Sequence, residues 1–211
     1  MPAESPADLL VLLGLRLKGF AEPATLAEAV GLTVATVEKH LEVFEAESLV
    51  RHRQGRVSGW TLTAAGRAEG ERLLAAELDE TDTREPVASA YRSFLRHNPA
   101  LLELCTRWQV RETGDVTVVN DHTDRGYDQA LVDELVSLDA AVGPVCDRLA
   151  GALQRFSGYR PRFTNALDRV RGGELDWFTK PTIDSYHTVW FELHEHLLAT
   201  LGIERGSETR E

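Results

Sequence analysis

Apolar residues crowd the start of the chain as Leu9-Leu10-Val11-Leu12-Leu13-Gly14-Leu15, with Ser5 and Pro6 ahead of them and Lys18 behind. Serine followed by proline is the pattern of a helix cap with proline at the first helical position, so the run predicts a mostly buried helix to about Lys18. After the breaker stretch 20–24, Thr25 is placed to cap a short helix over residues 26–30, which Gly31 ends by permitting a left-handed backbone. Thr33 then caps a third helix. In it Val34, Val37, Leu41 and Phe44 recur at helical spacing and leave Ala35, Thr36, Glu38, Lys39 and His40 largely on other faces. Two short helices around a tight glycine turn make a helix-turn-helix pattern.

The period then changes. Residues 49–53 and 60–62 are short strand candidates flanking Gln54-Gly55-Arg56-Val57-Ser58-Gly59, a polar, glycine-bearing turn, which predicts a two-stranded hairpin. Thr63 caps a helix through Leu78, and the acidic stretch 79–85 ahead of Pro86 reads as a junction. The chain therefore divides into residues 1–81 and residues 82–211. In the second part, helical patterns cover 86–97, 99–111, 127–142, 144–156, 160–171 and 182–201, which predicts an all-helical bundle. Val116–Val119 is a short β-branched stretch of edge-strand character.

Several pieces of the first part fall in a familiar order: Leu26-Ala27-Glu28-Ala29-Val30-Gly31-Leu32, then Val37-Glu38-Lys39-His40-Leu41, Leu49-Val50, and Trp60-Thr61-Leu62-Thr63 with Gly66-Arg67. This text resembles the winged helix-turn-helix regulators of the MarR and ArsR type over roughly the first third of the chain. The fold class expected is mainly α: an N-terminal winged helix-turn-helix of three helices plus a two-stranded wing, then the helical bundle. In those families the third helix enters the major groove and the wing touches backbone or minor groove. The resemblance thus implies Thr33, Ala35, Thr36, Lys39 and His40 near bases or phosphates, and Arg53 and Arg56 on the wing. Glu38 departs from the pattern, because a carboxylate beside phosphates is repulsive unless it accepts a hydrogen bond from cytosine.

Charge sharpens this expectation. The net charge of −11 excludes indiscriminate nucleic-acid binding, which depends on Lys and Arg neutralising phosphates. Yet the stretch from Val50 to Arg67 holds Arg51, Arg53, Arg56 and Arg67 and no acid, the local footprint of a DNA contact. A winged-helix protein-interaction module that never touches DNA is the competing expectation, favoured by the overall acidity and by Glu38.

The second part carries less chemistry. Ile183, His187, Trp190, His194, Leu197 and Leu201 follow a three-then-four spacing along one stripe. The histidines read as core residues with hydrogen-bond partners, or as an effector pocket lined by His187, Trp190 and His194, or as a metal site recruiting His122 with Asp121 or Asp124. An i, i+7 pair lies about 10 Å apart along a helix, too far for one ion to join both. Tyr159, Arg160, Arg162 and Phe163 form a basic-aromatic cluster that either snorkels at a helix start or holds an anionic effector. Trp177 and Phe178 are expected to plug the bundle or a dimer seam.

The chain contains no GxSxG, HExxH, GxxxxGK[ST] or GxGxxG pattern. No catalytic residue, metal or cofactor is therefore expected, and Asp121-His122-Thr123-Asp124 reads as a polar loop, with acid–base work as the lesser alternative. Cys105 and Cys146 lack redox or metal spacing and read as reduced core thiols. The apolar run at residues 9–17 is too short for a bilayer span, and no basic stretch precedes it as a secretory signal requires, so the expected location is the cytoplasm. The functional expectation is a homodimeric transcriptional regulator that binds double-stranded operator DNA and answers to a small-molecule effector in its C-terminal helical domain.

Overall fold

Local capping decides where the first helices begin. In the computed structural model, which describes residues 1–114 and 116–204, α1 spans Ala7–Lys18, α2 Pro23–Val30 and α3 Val34–Ala46. Pro23 at the start of α2 brings its beginning ahead of Thr25, since proline's fixed φ suits the first helical turn. Ser5 does not cap α1; its hydroxyl is bonded to Glu77 instead. The turn after α2 behaves as the sequence predicts. Gly31 adopts φ +70°, the Leu32 amide bonds the Ala27 carbonyl at 3.0 Å, and the Thr33 hydroxyl accepts from the Thr36 amide at 3.2 Å.

Val11, Leu12 and Leu15 of α1, Leu26 and Ala27 of α2, and Val37, Leu41 and Phe44 of α3 share one core with Ala21 and Val50. Burying each leucine of this kind contributes about 2 kcal/mol. Helices α1 and α2 approach closely at Gly14, where an added Cβ would fall 2.5 Å from Leu26 Cδ1. The hairpin follows, β1 (Val50–Arg53) against antiparallel β2 (Gly59–Leu62), with His52 opposite Trp60. Ala21 bridges to Trp60 on the other edge of β2, their amides and carbonyls exchanging bonds of 3.1 and 2.8 Å. Helix α4 (Ala64–Glu80) starts under the Thr63 cap, whose hydroxyl accepts from the Gly66 amide and donates to the Ser48 carbonyl.

This first unit is completed by chain from far downstream. It comprises Met1–Glu85 with Leu153–Arg155 and the chain from His194 onward. Ala3 pairs with Leu153, and Ala199 packs with Leu9, Leu13 and Leu74. The boundary expected at residue 82 therefore describes only the first crossing between units. The stretch 79–85, expected as a linker or domain junction, does end at the change of unit after Glu85, but it is structured: α4 continues to Glu80, Asp82 takes φ +52°, and α5 (Arg84–Leu95) begins two residues later.

The second unit comprises Pro86–Ala152 and Phe156–Leu193. It carries most of α5, then α6 (Asn98–Gln109), β3 (Val110–Thr113), β4 (Val116–Val119), α7 (Arg125–Ala152), α8 (Tyr159–Arg171), the short α9 (Asp176–Thr179) and the first half of α10 (Tyr186–Leu201). Two expectations are corrected here. The unit is not all-helical, because Val110–Thr113, of which the sequence predicts residues 110 and 111 as the tail of a helix, pairs with Val116–Val119 as an antiparallel hairpin. The two helices expected either side of Gly143 are one, α7, with Pro144 inside it. Proline removes one backbone bond, but the buried stripe Leu135, Leu138, Val142, Val145, Cys146 and Leu149 runs through the site and holds the helix together. Phe94, Phe163, Tyr186 and Trp190 form its buried aromatic cluster. Among the described residues, no helix is long and apolar enough to cross a membrane.

Candidate nucleic-acid interface

Helix α3 is anchored by Val37, Leu41 and Phe44, so periodicity turns the remaining positions outward. Thr33, Val34, Ala35, Glu38, Lys39, Glu42 and Val43 are exposed, and Thr36 and His40 are partly so. The Thr33 and Thr36 hydroxyls are 2.8 Å apart at the start of the helix, and the His40 ring leans on Phe44 at 5.8 Å. The N-terminal turn thus presents small, hydroxylated side chains, with Lys39 one turn further on.

On β1 the strand period of two puts Val50 and His52 on one side and Arg51 and Arg53 on the other. His52 is fixed on its side by stacking on Trp60 at 4.6 Å and by a 3.1 Å bond between its Nε2 and the Ser58 hydroxyl. Arg51 and Arg53 are exposed, as is Arg56 in the turn. Arg51 shares its strand face with Arg53, a pairing that the alternation of residues 50–53 encodes and that attention to the turn alone passes over.

The state of these cations sets them apart. Most other described arginines are tied to carboxylates, among them Arg16 to Glu71, Arg72 to Glu69, Arg107 to Glu134 and Arg169 to Glu174, while Arg125 and Arg148 are scattered exceptions on α7. Among the described residues, no ion pair or side-chain hydrogen bond engages Lys39, Arg51, Arg53, Arg56 or Arg67. A cation with no internal partner keeps its full charge for an external anion, whereas a paired one must first break its bond. Glu38, Glu42 and Glu45 are exposed on α3 and oppose an anion there, which concentrates the positive potential on the hairpin.

The other sequence candidates fall apart into core and framework. Trp190 is 2% exposed, its indole N–H donating to Asn98 Oδ1 at 3.0 Å with Phe94 beside it. His187 is half-buried with its ring against Phe191, and burial holds its imidazole below the usual histidine range. His194 is buried within the first unit, whereas His187 and Trp190 belong to the second. Arg162 is bidentate to Asp184 and also bonded to Glu192, and Arg160 is bonded to Asp139, so that cluster is neutralised from within.

In the loop before α7, Asp124 Oδ1 accepts the Tyr127 amide and Asp121 Oδ1 accepts from Thr123. His122 Nδ1 lies 3.0 Å from Asp128 Oδ2, while Asn120 donates to the other oxygen of Asp128 at 2.9 Å. These groups satisfy one another and brace the helix start. No cluster of three or more His, Cys, Asp or Glu side chains suited to a metal ion occurs among the described residues. No protein-family model matches the chain, and neither does any curated protein or any solved structure.

Proposed function

We propose that this chain is a DNA-binding transcriptional regulator, acting by binding rather than catalysis, in which the first unit is a winged helix-turn-helix. The observation that carries the proposal is the set of unpaired cations, Arg51, Arg53 and Arg56 on the hairpin with Lys39 on α3, in a chain that otherwise ties most of its arginines to acids. The order of elements supports it: α1, the single bridging residue Ala21 beside β2, α2, a three-residue turn, α3 and the hairpin. In this arrangement α3 offers Thr33, Ala35, Thr36, Lys39 and His40 to the major groove, and the wing arginines neutralise flanking phosphates.

The working unit is a homodimer on a two-fold operator in the cytoplasm, with a small-molecule effector acting through the second unit by shifting the population of DNA-competent states. A second reading, a partner-binding module, draws on the exposed Glu38, Glu42 and Glu45 of α3. The two separate in an anisotropy titration against the DNA upstream of the protein's own coding sequence and a random duplex, at about 50 and about 200 mM salt. Selective, salt-sensitive binding supports the regulator. Absence of binding at both salts favours the partner-binding module.

A further inference from the structure

The hairpin β3–β4 is unlike the first one. All four residues of β4 are exposed, Val116 at 60%, Val118 at 40% and Val119 at 77%, so apolar side chains face solvent from both sides of the strand. Its sheet has two strands only, and β4 has no strand on its outer side among the described residues. Exposed edges are normally blunted by charge, proline or a bulge. Val116-Thr117-Val118-Val119 has none of these, and its register with β3 is unbroken from Val110↔Val119 to Thr113↔Val116.

The register also says which backbone groups are left over. The Asn120 amide bonds the Gln109 carbonyl at 2.9 Å, which puts 109 and 120 in hydrogen-bonded register and, by alternation, makes 111 with 118 and 113 with 116 the bonded pairs. The amides and carbonyls of Thr117 and Val119 therefore point to the free edge of β4, whereas on β3 the Val110 amide is taken by the Thr106 carbonyl at the end of α6 and only the Val110 carbonyl and the Glu112 groups are left.

We propose that the free edge of β4 pairs antiparallel with β4 of a second copy of this chain, with Val118 facing its own counterpart on the two-fold axis. Thr117 then exchanges hydrogen bonds with Val119 of the copy and Val119 with Thr117, which uses both outward residues and extends the two hairpins into one four-stranded sheet. Charge selects both the occupant and the edge. The same symmetric pairing across β3 would centre on Arg111, whose guanidinium is held beside Asp124 at 3.6 Å and over the Tyr127 ring, and would set two charged side chains opposite each other along an edge already short of one amide. Across β4 every pair is uncharged, which suits the approach of two molecules of net charge −11. A foreign strand would find no charge on β4 to read, while a copy brings the matching apolar faces by symmetry. This surface deepens the proposed homodimer by giving it an interface, and its argument rests on the hairpin alone.

A strand pair this short lies at the small end of protein interfaces, so trapping is the right readout. Antiparallel residues that face without exchanging hydrogen bonds have Cα atoms about 4.5 Å apart, within reach of a disulfide. The full-length Val118→Cys protein, oxidised with copper phenanthroline, is expected to run mainly as a reducible dimer. Thr117→Cys alone is expected to stay monomeric, yet to cross-link when mixed with Val119→Cys. The wild type is the control, because Cys105 and Cys146 are buried. Loss of the Val118→Cys cross-link, or equal trapping of Thr117→Cys alone, overturns the proposal. Titrating the reduced Val118→Cys protein against operator and random DNA keeps the two hypotheses apart, because intact selective binding without the cross-link rejects this interface and leaves the regulator standing.

Discussion

Arg155 donates to Glu77 with both side chains almost wholly enclosed, at 4% and 5% exposure. The guanidinium also donates to His196 Nε2 at 3.1 Å, to the Ser5 hydroxyl at 3.0 Å and to the Thr200 hydroxyl at 3.1 Å. One buried cation thus ties together the N-terminal segment, α4 and the end of α10. Removing a single partner leaves the other charge enclosed, which typically costs about 3–5 kcal/mol. Glu77→Ala is expected to lose that much in urea denaturation, and Glu77→Leu combined with Arg155→Met to recover most of it. If the double variant loses the sum of what Glu77→Leu and Arg155→Met lose singly, the ion pair is not the connection.

Gly66 lies against the backbone of Leu49, where an added Cβ would sit 1.9 Å from the carbonyl oxygen. No side-chain rotation relieves a clash with backbone, so α4 must move off the hairpin. Gly66→Ala is expected to destabilise the protein by about 2–4 kcal/mol despite alanine's better helix propensity. A neutral or higher melting temperature would contradict the close approach.

The proposed DNA contact makes a quantitative prediction for the arginines of the first hairpin. Each phosphate contact contributes about −0.9 to the slope of log K against log salt. Arg53→Ala with Arg56→Ala is expected to weaken operator and random DNA alike and to flatten the slope by nearly two units. Lys39→Ala and Thr36→Ala are expected to erode the preference for operator. An unchanged slope in the double arginine variant would remove the wing from the contact.

Burial lowers the basicity of His187 and of His97, the latter helped by the nearby Arg96 charge. The fold favours their neutral forms, whereas the unfolded chain takes up protons near pH 6.5. Their stabilising contribution is complete above that pH and is lost as the pH falls through the lower folded values. The melting temperature is expected to drop between pH 7.5 and 5, and His187→Gln to reduce that drop. A pH dependence identical to wild type would exclude His187 as a source.

Burial also pushes the Cys105 and Cys146 thiols up to about 12. At pH 8 almost no thiolate is present in the fold, so a thiol-specific dye is expected to label neither cysteine in native protein and both in urea. Rapid native labelling would show that one of the helices bearing them opens readily.

Legibility in the sequence followed the range of the interactions. The α2–α3 turn could be read because Gly31, Thr33 and Thr36 act within five residues of one another, and the first hairpin because its turn residues adjoin its strands. The hairpin of the second unit was half visible. Val116–Val119 looked like a strand, but its partner Val110–Thr113 follows α6 so closely that helical periodicity swallowed it. Pro144 misled because the breaker rule is local, while the buried stripe holding α7 together is not. The cations of the first hairpin were legible from composition. That they lack partners was not, since Arg160 and Arg162 look equally available in sequence and find Asp139, Asp184 and Glu192 only through the fold.

The way the first unit recruits distant chain has a consequence during synthesis. Its α1–α4 segment emerges from the ribosome early, but Glu77 has no counterion until Arg155 is made, and the guanidinium is not fully enclosed until Thr200 follows. The residues proposed to meet DNA therefore belong to a unit whose last bonds wait for chain made long after α4. A transcript broken after α4 would yield a polypeptide with the recognition residues but without the lock, a ready substrate for proteolysis rather than a competitor for the operator. Synthesis of the segment that carries Arg155 and Thr200 is in this way checked by the fold itself.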